Sequence, residues 1–104
     1  MKQKKIPRKY ETRARILKAL GHPTRLFIVD TLSKEQKCVC ELTELVGADI
    51  STVSRHLSIL KEAGILRIEK TGNQVFYEIV CPCIMEIFPC IEKTLNERLK
   101  DEEM

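Results

Sequence analysis

No stretch of this chain stays apolar for long. The longest candidate, Val75 to Met85, is broken by Glu78 and Pro82 and falls well short of the roughly 20 residues that a membrane-spanning helix needs, so no membrane association is expected. Also missing is an apolar segment with a small-residue cleavage site behind the basic Met1-Lys2-Gln3-Lys4-Lys5. A secretory leader would require one, and a cytoplasmic location is the expectation. There is no internal repeat and no low-complexity tract. With 104 residues, 32% charged and 43% hydrophobic, the chain suits one soluble globular domain rather than a disordered or fibrous class.

What the chain does have is segregated charge and an odd number of thiols. Lys2, Lys4, Lys5, Arg8, Lys9, Arg13, Arg15 and Lys18 crowd the first segment, while Asp101, Glu102 and Glu103 close the chain, so the formal net charge of +3 hides an asymmetry. A flexible basic arm over residues 1–9, a folded domain over 10–98 and an acidic tail over 99–104 are expected, and a basic arm suits a polyanion. Five cysteines without an export signal point to reduced thiols, available for soft-metal or redox chemistry, rather than to a disulfide framework.

Periodicity supplies the fold. Ala14, Ile16, Leu17 and Leu20 predict a helix over Tyr10 to Leu20 that ends at Gly21 in a left-handed cap. Pro23 fits the first turn of a second helix reaching about Ser33, after which Ser33 to Lys37 reads as a surface loop. Val39, Leu42, Leu45 and Val46 predict a short helix closed by Gly47. Ile50, Val53, Leu57 and Leu60 predict another, from Asp49 to Ala63, closed by Gly64. Two short helices joined by a tight glycine-containing turn form a helix-turn-helix. Past Gly64 the period becomes two, with a hairpin turning at Thr71-Gly72-Asn73. Pro82 then opens a last helix carrying Ile84, Met85, Ile87, Phe88, Ile91 and Leu95, more apolar surface than one edge of a small domain can cover, so part of it is expected to meet a second subunit. The expected class is mainly α with a small β-hairpin wing: a winged helix-turn-helix, which points toward DNA by analogy.

Three segments in this order, Ala19-Leu20-Gly21-His22-Pro23-Thr24-Arg25-Leu26, Cys38-Val39-Cys40-Glu41-Leu42 and Ser51-Thr52-Val53-Ser54-Arg55-His56-Leu57, resemble the ArsR/SmtB family of metal-responsive transcriptional repressors. The second is similar to the segment that marks the arsenic-sensing branch and the third to the recognition helix. The likeness runs from about Ile16 to Val80. It implies a homodimer, joined through its first and last helices, that sits on a partly palindromic operator in double-stranded DNA and leaves when a toxic ion binds.

On a helical wheel Ser51, Arg55, Ser58 and Glu62 point away from the apolar stripe, flanked by Thr52 and Ile59. Short hydroxyls near a helix start can approach bases or phosphates, and Arg55 can grip guanine with two hydrogen bonds. Ser54 and His56 sit at the margin, where packing or a phosphate contact is favoured over base reading for His56. Arg67, Lys70, Thr71, Asn73 and Gln74 decorate the wing with groups suited to phosphates, although an ordinary exposed hairpin would look the same. His22, just before Pro23, is read as a structural helix cap.

Cys38 and Cys40 fall at the start of the third helix, where free N–H groups and the helix dipole favour a thiolate. Residues two apart on an ideal helix diverge by about 200°, so both sulfurs reach one ion only if Cys38 lies in extended backbone at or before the first turn. Where the resembling members carry a third cysteine, this chain has Thr43, which leaves a three-sulfur site for trivalent arsenic incomplete. Cys81, Cys83 and Cys90 supply a second group, with Cys81 and Cys83 the easier pair and a kink at Pro89 able to bring Cys90 nearer. Three arrangements stay open: Cys38 and Cys40 with a thiol from the last helix of either subunit, an independent site of Cys81, Cys83 and Cys90, or both. Cys38 and Cys40 are favoured as necessary members. The last helix has no histidine, so arsenite or antimonite, with cadmium or lead as alternatives, suits the site better than zinc, and no organic cofactor is implied. The rival readings are the same repressor responding to thiol oxidation or persulfide, a constitutive DNA-binding protein whose cysteines only pack, and a thiol reductase. The last fares poorly because neither the C-x-x-C spacing nor a strand-rich fold is present.

Overall fold

Residues 6–103 are described by a computed structural model; Lys2, Lys4 and Lys5 of the expected basic arm lie outside them. Helix α1 spans Arg8–Leu20 and buries only its last turn, Ala19 and Leu20. Gly21 departs from the expected left-handed cap, with φ −78°. Helix α2 (Pro23–Leu32) begins two residues on, and its cap His22 must be extended, at φ −148° and ψ 131°. The chain therefore turns tightly through a His22 N–H to Leu20 carbonyl bond of 2.8 Å. His22 is the cap the sequence suggested, since its Nδ1 accepts the Thr24 N–H at 3.1 Å.

The helix-turn-helix consists of α3 (Val39–Val46) and α4 (Ile50–Glu62). Gly47, at φ 76°, ends α3 by giving its N–H to the Thr43 carbonyl at 3.0 Å. That left-handed conformation is one that a Cβ disfavours. Asp49 caps α4, its carboxylate accepting the Thr52 N–H at 2.8 Å. Val53, Leu57 and Leu60 of α4 are wholly inaccessible and pack with Ile28, Val29, Leu42, Ile65 and Leu66. The predicted stripes are wider than the buried arcs: Ile50, first residue of α4, is 54% exposed and Leu45 of α3 is 50% exposed.

The wing is a three-stranded sheet, not the expected two-stranded hairpin. Strand β2 (Leu66–Thr71) pairs with β3 (Gln74–Ile79), and β3 also pairs with β1 (Lys37–Cys38), giving the order β1-β3-β2. Lys37 lies opposite Tyr77 and Cys38 opposite Phe76. Two residues carry no readable period, so the end of the predicted Ser33–Lys37 loop becomes a strand only through its distant partner. At the tip Thr71 faces Gln74 and Gly72, at φ 63°, is the positive-φ residue of the turn, which fits a type II′ hairpin.

Behind the wing the expected last helix is split. A 3-10 turn (Pro82–Glu86) leads into α5 (Ile87–Glu103). Pro89 lies in the first turn of α5, where its missing N–H lacks no intrahelical partner, so it marks a helix start rather than a kink. Helix α5 buries none of its residues and leaves Ile91, Leu95 and Leu99 between 41% and 57% exposed. Among the described residues no helix is long and apolar enough to cross a membrane.

Candidate nucleic-acid interface and thiol sites

The cap at Asp49 and the buried Val53-Leu57-Leu60 stripe fix the rotation of α4 about its axis. Ser51, Thr52, Ser54, Arg55 and Ser58 are consequently all exposed along one side. His56 is turned inward. Its ring lies 4.6 Å from that of His22, and its Nδ1 accepts a hydrogen bond from the Arg25 guanidinium at 3.2 Å. Burial, then the neighbouring His22 and Arg25, lower the His56 pKa and favour the neutral ring, in which Nδ1 accepts from Arg25 and the proton lies on Nε2. Arg25 also donates from Nε to the Ala19 carbonyl. This one guanidinium thereby ties the end of α1 to α4, a role that the local sequence around Arg25 does not reveal.

On the wing, Lys70, Thr71, Asn73 and Gln74 are exposed at the tip. Arg67 is differently placed: its Nε donates to Glu78, directly opposite on β3, at 2.7 Å, and Gln36 donates to the other oxygen of that carboxylate at 2.6 Å. The Arg67 bond, followed by that of Gln36, holds the Glu78 carboxyl below its usual range.

The two thiol groups occupy different surroundings. Cys38 is at once the last residue of β1 and the cap of α3, with φ −86° and ψ 168°, the extended backbone that a shared ion requires of it. Its N–H donates to the Glu41 carboxylate at 3.1 Å, and this bond lowers the Glu41 pKa. Cys40 is exposed in the first turn. Cys81 and Cys83 flank Pro82 at the end of the wing, exposed, with their sulfurs 2.9 Å apart. Hydrogen bonding from Cys83 lowers the Cys81 pKa while the same contact raises that of Cys83, so the pair surrenders one proton easily and the second reluctantly. Cys90 is exposed on α5. Among the described residues no three Cys, His, Asp or Glu side chains converge within one protomer. Two sulfurs suit part of a soft ion's shell, and the rest must come from elsewhere.

Two helices joined by a capped turn and followed by a wing are matched elsewhere. Residues 22–67 fit the model for "Bacterial regulatory protein, arsR family". An uncharacterized HTH-type transcriptional regulator of Methanocaldococcus jannaschii is 41% identical over 86 residues, covering 82% of this chain and 97% of that protein. The chain belongs to the ArsR family. The solution structure of a homodimeric winged helix-turn-helix domain from Mycobacterium bovis, a possible ArsR-family regulator, overlays this regulator with a TM-score of 0.76 at 25% identity, covering 96% and 95% of the two chains. A shorter match, 37% identical over 67 residues, covers 64% of this chain and 55% of a Staphylococcus aureus homolog of the cadmium resistance transcriptional regulatory protein. This ArsR-family chain is thus a winged helix-turn-helix transcriptional regulator, in a family of DNA-binding proteins rather than enzymes.

Proposed function

We propose that this regulator is a repressor that holds operator DNA as a homodimer and releases it when its thiols capture a soft ion, arsenite or antimonite first, with cadmium or lead as alternatives. The observation that carries the sensing half is the Cys81–Cys83 contact, two accessible sulfurs 2.9 Å apart, close enough for one to donate to the other. The cadmium-resistance name of one relative supports a metal inducer. DNA reading falls to Arg55 with Ser51, Thr52, Ser54 and Ser58, and phosphate contacts to Lys70, Thr71, Asn73 and Gln74. Arg67 and His56 serve by positioning, given their bonds to Glu78 and Arg25. Dimerisation falls to the uncovered apolar side of α5 with Leu17 of α1.

The geometry supplies a route from ion to DNA. Cys38 is paired to the wing through Phe76 and caps α3, while Cys81 follows the wing strand, just after Val80, whose N–H donates to the Ile65 carbonyl at 2.9 Å. Ion capture therefore pulls on a joint of the wing, with α3 at Cys38 and with the 3-10 turn Pro82–Glu86 at Cys81. A third sulfur for trivalent arsenic comes from Cys90, Cys38 or Cys40, within or between subunits. Coupling of this kind is reciprocal, so operator DNA weakens ion binding by the same factor.

The test is release of a fluorescent operator duplex, selected from a random pool, from the reduced dimer titrated with arsenite, antimonite, cadmium, lead and zinc. Release by a soft ion should be lost in Cys81→Ser/Cys83→Ser, and its loss in Cys90→Ser or in Cys38→Ser/Cys40→Ser identifies the source of the third sulfur. Release that survives both double variants sinks the thiol sensor.

The sulfur contact also favours a second reading, oxidation. The Cys81 thiolate attacks a peroxide to give a sulfenic acid, and Cys83 then displaces water to close a disulfide. Two thiols are oxidised and the peroxide is reduced to water. Loss of two hydrogens from the peptide containing Cys81 and Cys83, with operator release by peroxide alone, would distinguish this signal from an ion.

A further inference from the structure

Along α4, residues of α1, α2 and α4 line an open cleft of about 470 Å³, within the roughly 300–1,000 Å³ of sites that hold small molecules. Its walls are mostly apolar, with Ala19, Ile59 and Ala63 among them, while Arg15, Lys18, Arg25 and Arg55 surround it against the single carboxylate of Glu62. Arg25 is fixed there by its bonds to the Ala19 carbonyl and His56. Among the described residues Arg15, Lys18 and Arg55 have no carboxylate within 4.0 Å, so three cations beside an apolar surface lack a partner.

From this charge complementarity we infer that the cleft binds a small amphipathic anion, a carboxylate on an apolar body, and that this anion competes with DNA. The carboxylate sits between Arg15 and Arg55, where bidentate pairing suits the guanidinium, and the apolar body lies on Ala19, Ile59 and Ala63. Dimerisation through the proposed surface leaves the cleft open, because Arg15 and Ala19 each lie about 160° around α1 from the uncovered Leu17. The competition rests on Arg55 being a DNA-reading residue; the binding itself does not. It gives the repressor an organic signal separate from its thiols.

The probe is sodium decanoate, below its micelle concentration, added to the ¹⁵N-labelled reduced dimer and followed by amide chemical shifts. Saturable shifts confined to the neighbourhood of Ala19, Ile59 and Ala63 are expected. They should require at least tenfold more decanoate in Arg15→Ala/Lys18→Ala and in Ile59→Ser, and reverse when operator duplex is added. No saturable shift, as when a partner subunit covers the cleft, overturns the site. Equal binding of neutral decanol, or unchanged affinity in the Arg15→Ala/Lys18→Ala protein, overturns the anion. Saturable binding that operator DNA leaves intact overturns the competition. An unaltered operator affinity in Arg55→Ala, measured without decanoate, locates the failure in the DNA-reading assignment instead.

Discussion

Arg55 and His56 are neighbours with opposite fates, separated by about 100° around the helix. Arg55 points to solvent, so Arg55→Ala should weaken operator binding by roughly 10- to 100-fold and relax preference at one base position, read by fluorescence anisotropy against single-base variants. His56 is favoured in its neutral form by burial, then by His22, Arg25 and Arg55. Its folded pKa lies below the unfolded value of about 6.5, so the unfolded chain binds the proton first. Stability from this group is intact above about pH 6.5 and declines as pH falls below it. Urea midpoints at pH 7.5 and 5.5 should differ more in the parent than in His56→Gln; equal differences would remove His56 as the source. Arg67 shows the limit of reading residues singly, because its partnership with Glu78 depends on strand register, which composition does not display.

At the scale of elements, the three-to-four spacing of Val53, Leu57 and Leu60 made α4 legible, and the same residues became the floor of the core. Leu57→Ala should cost about 2–5 kcal/mol, measured by chemical denaturation, because the site is wholly enclosed. Asp49→Ala removes the bond to the Thr52 N–H and should lower the melting temperature by a few degrees without altering the fold. Turns were readable where glycine is demanded by positive φ, as at Gly47 and Gly72, and misread at Gly21, where the next helix dictates the backbone. Strand β1 was invisible because its identity lies in β3, some 40 residues away.

For the whole molecule, a recognition face with exposed cations predicts a steep fall of operator affinity with salt, since neutralised phosphates release counterions. A flat log–log plot would count against the interface. The uncovered Leu95 and Leu99 of α5 predict that Leu95→Lys/Leu99→Lys yields a folded monomer by sedimentation, with operator affinity sharply reduced; an intact dimer would place the interface elsewhere.

The sequence by itself determined the helix-turn-helix, the hairpin and the exposed face of α4, because these follow from local spacing and from where glycine, proline and aspartate stop or start an element. Only the tertiary structure decided which thiols meet, that Arg67 and His56 are engaged, and that cations of α1 and α4 surround one cleft. Such relations arise between segments distant in the chain, where register and packing, rather than any local pattern, set the distances.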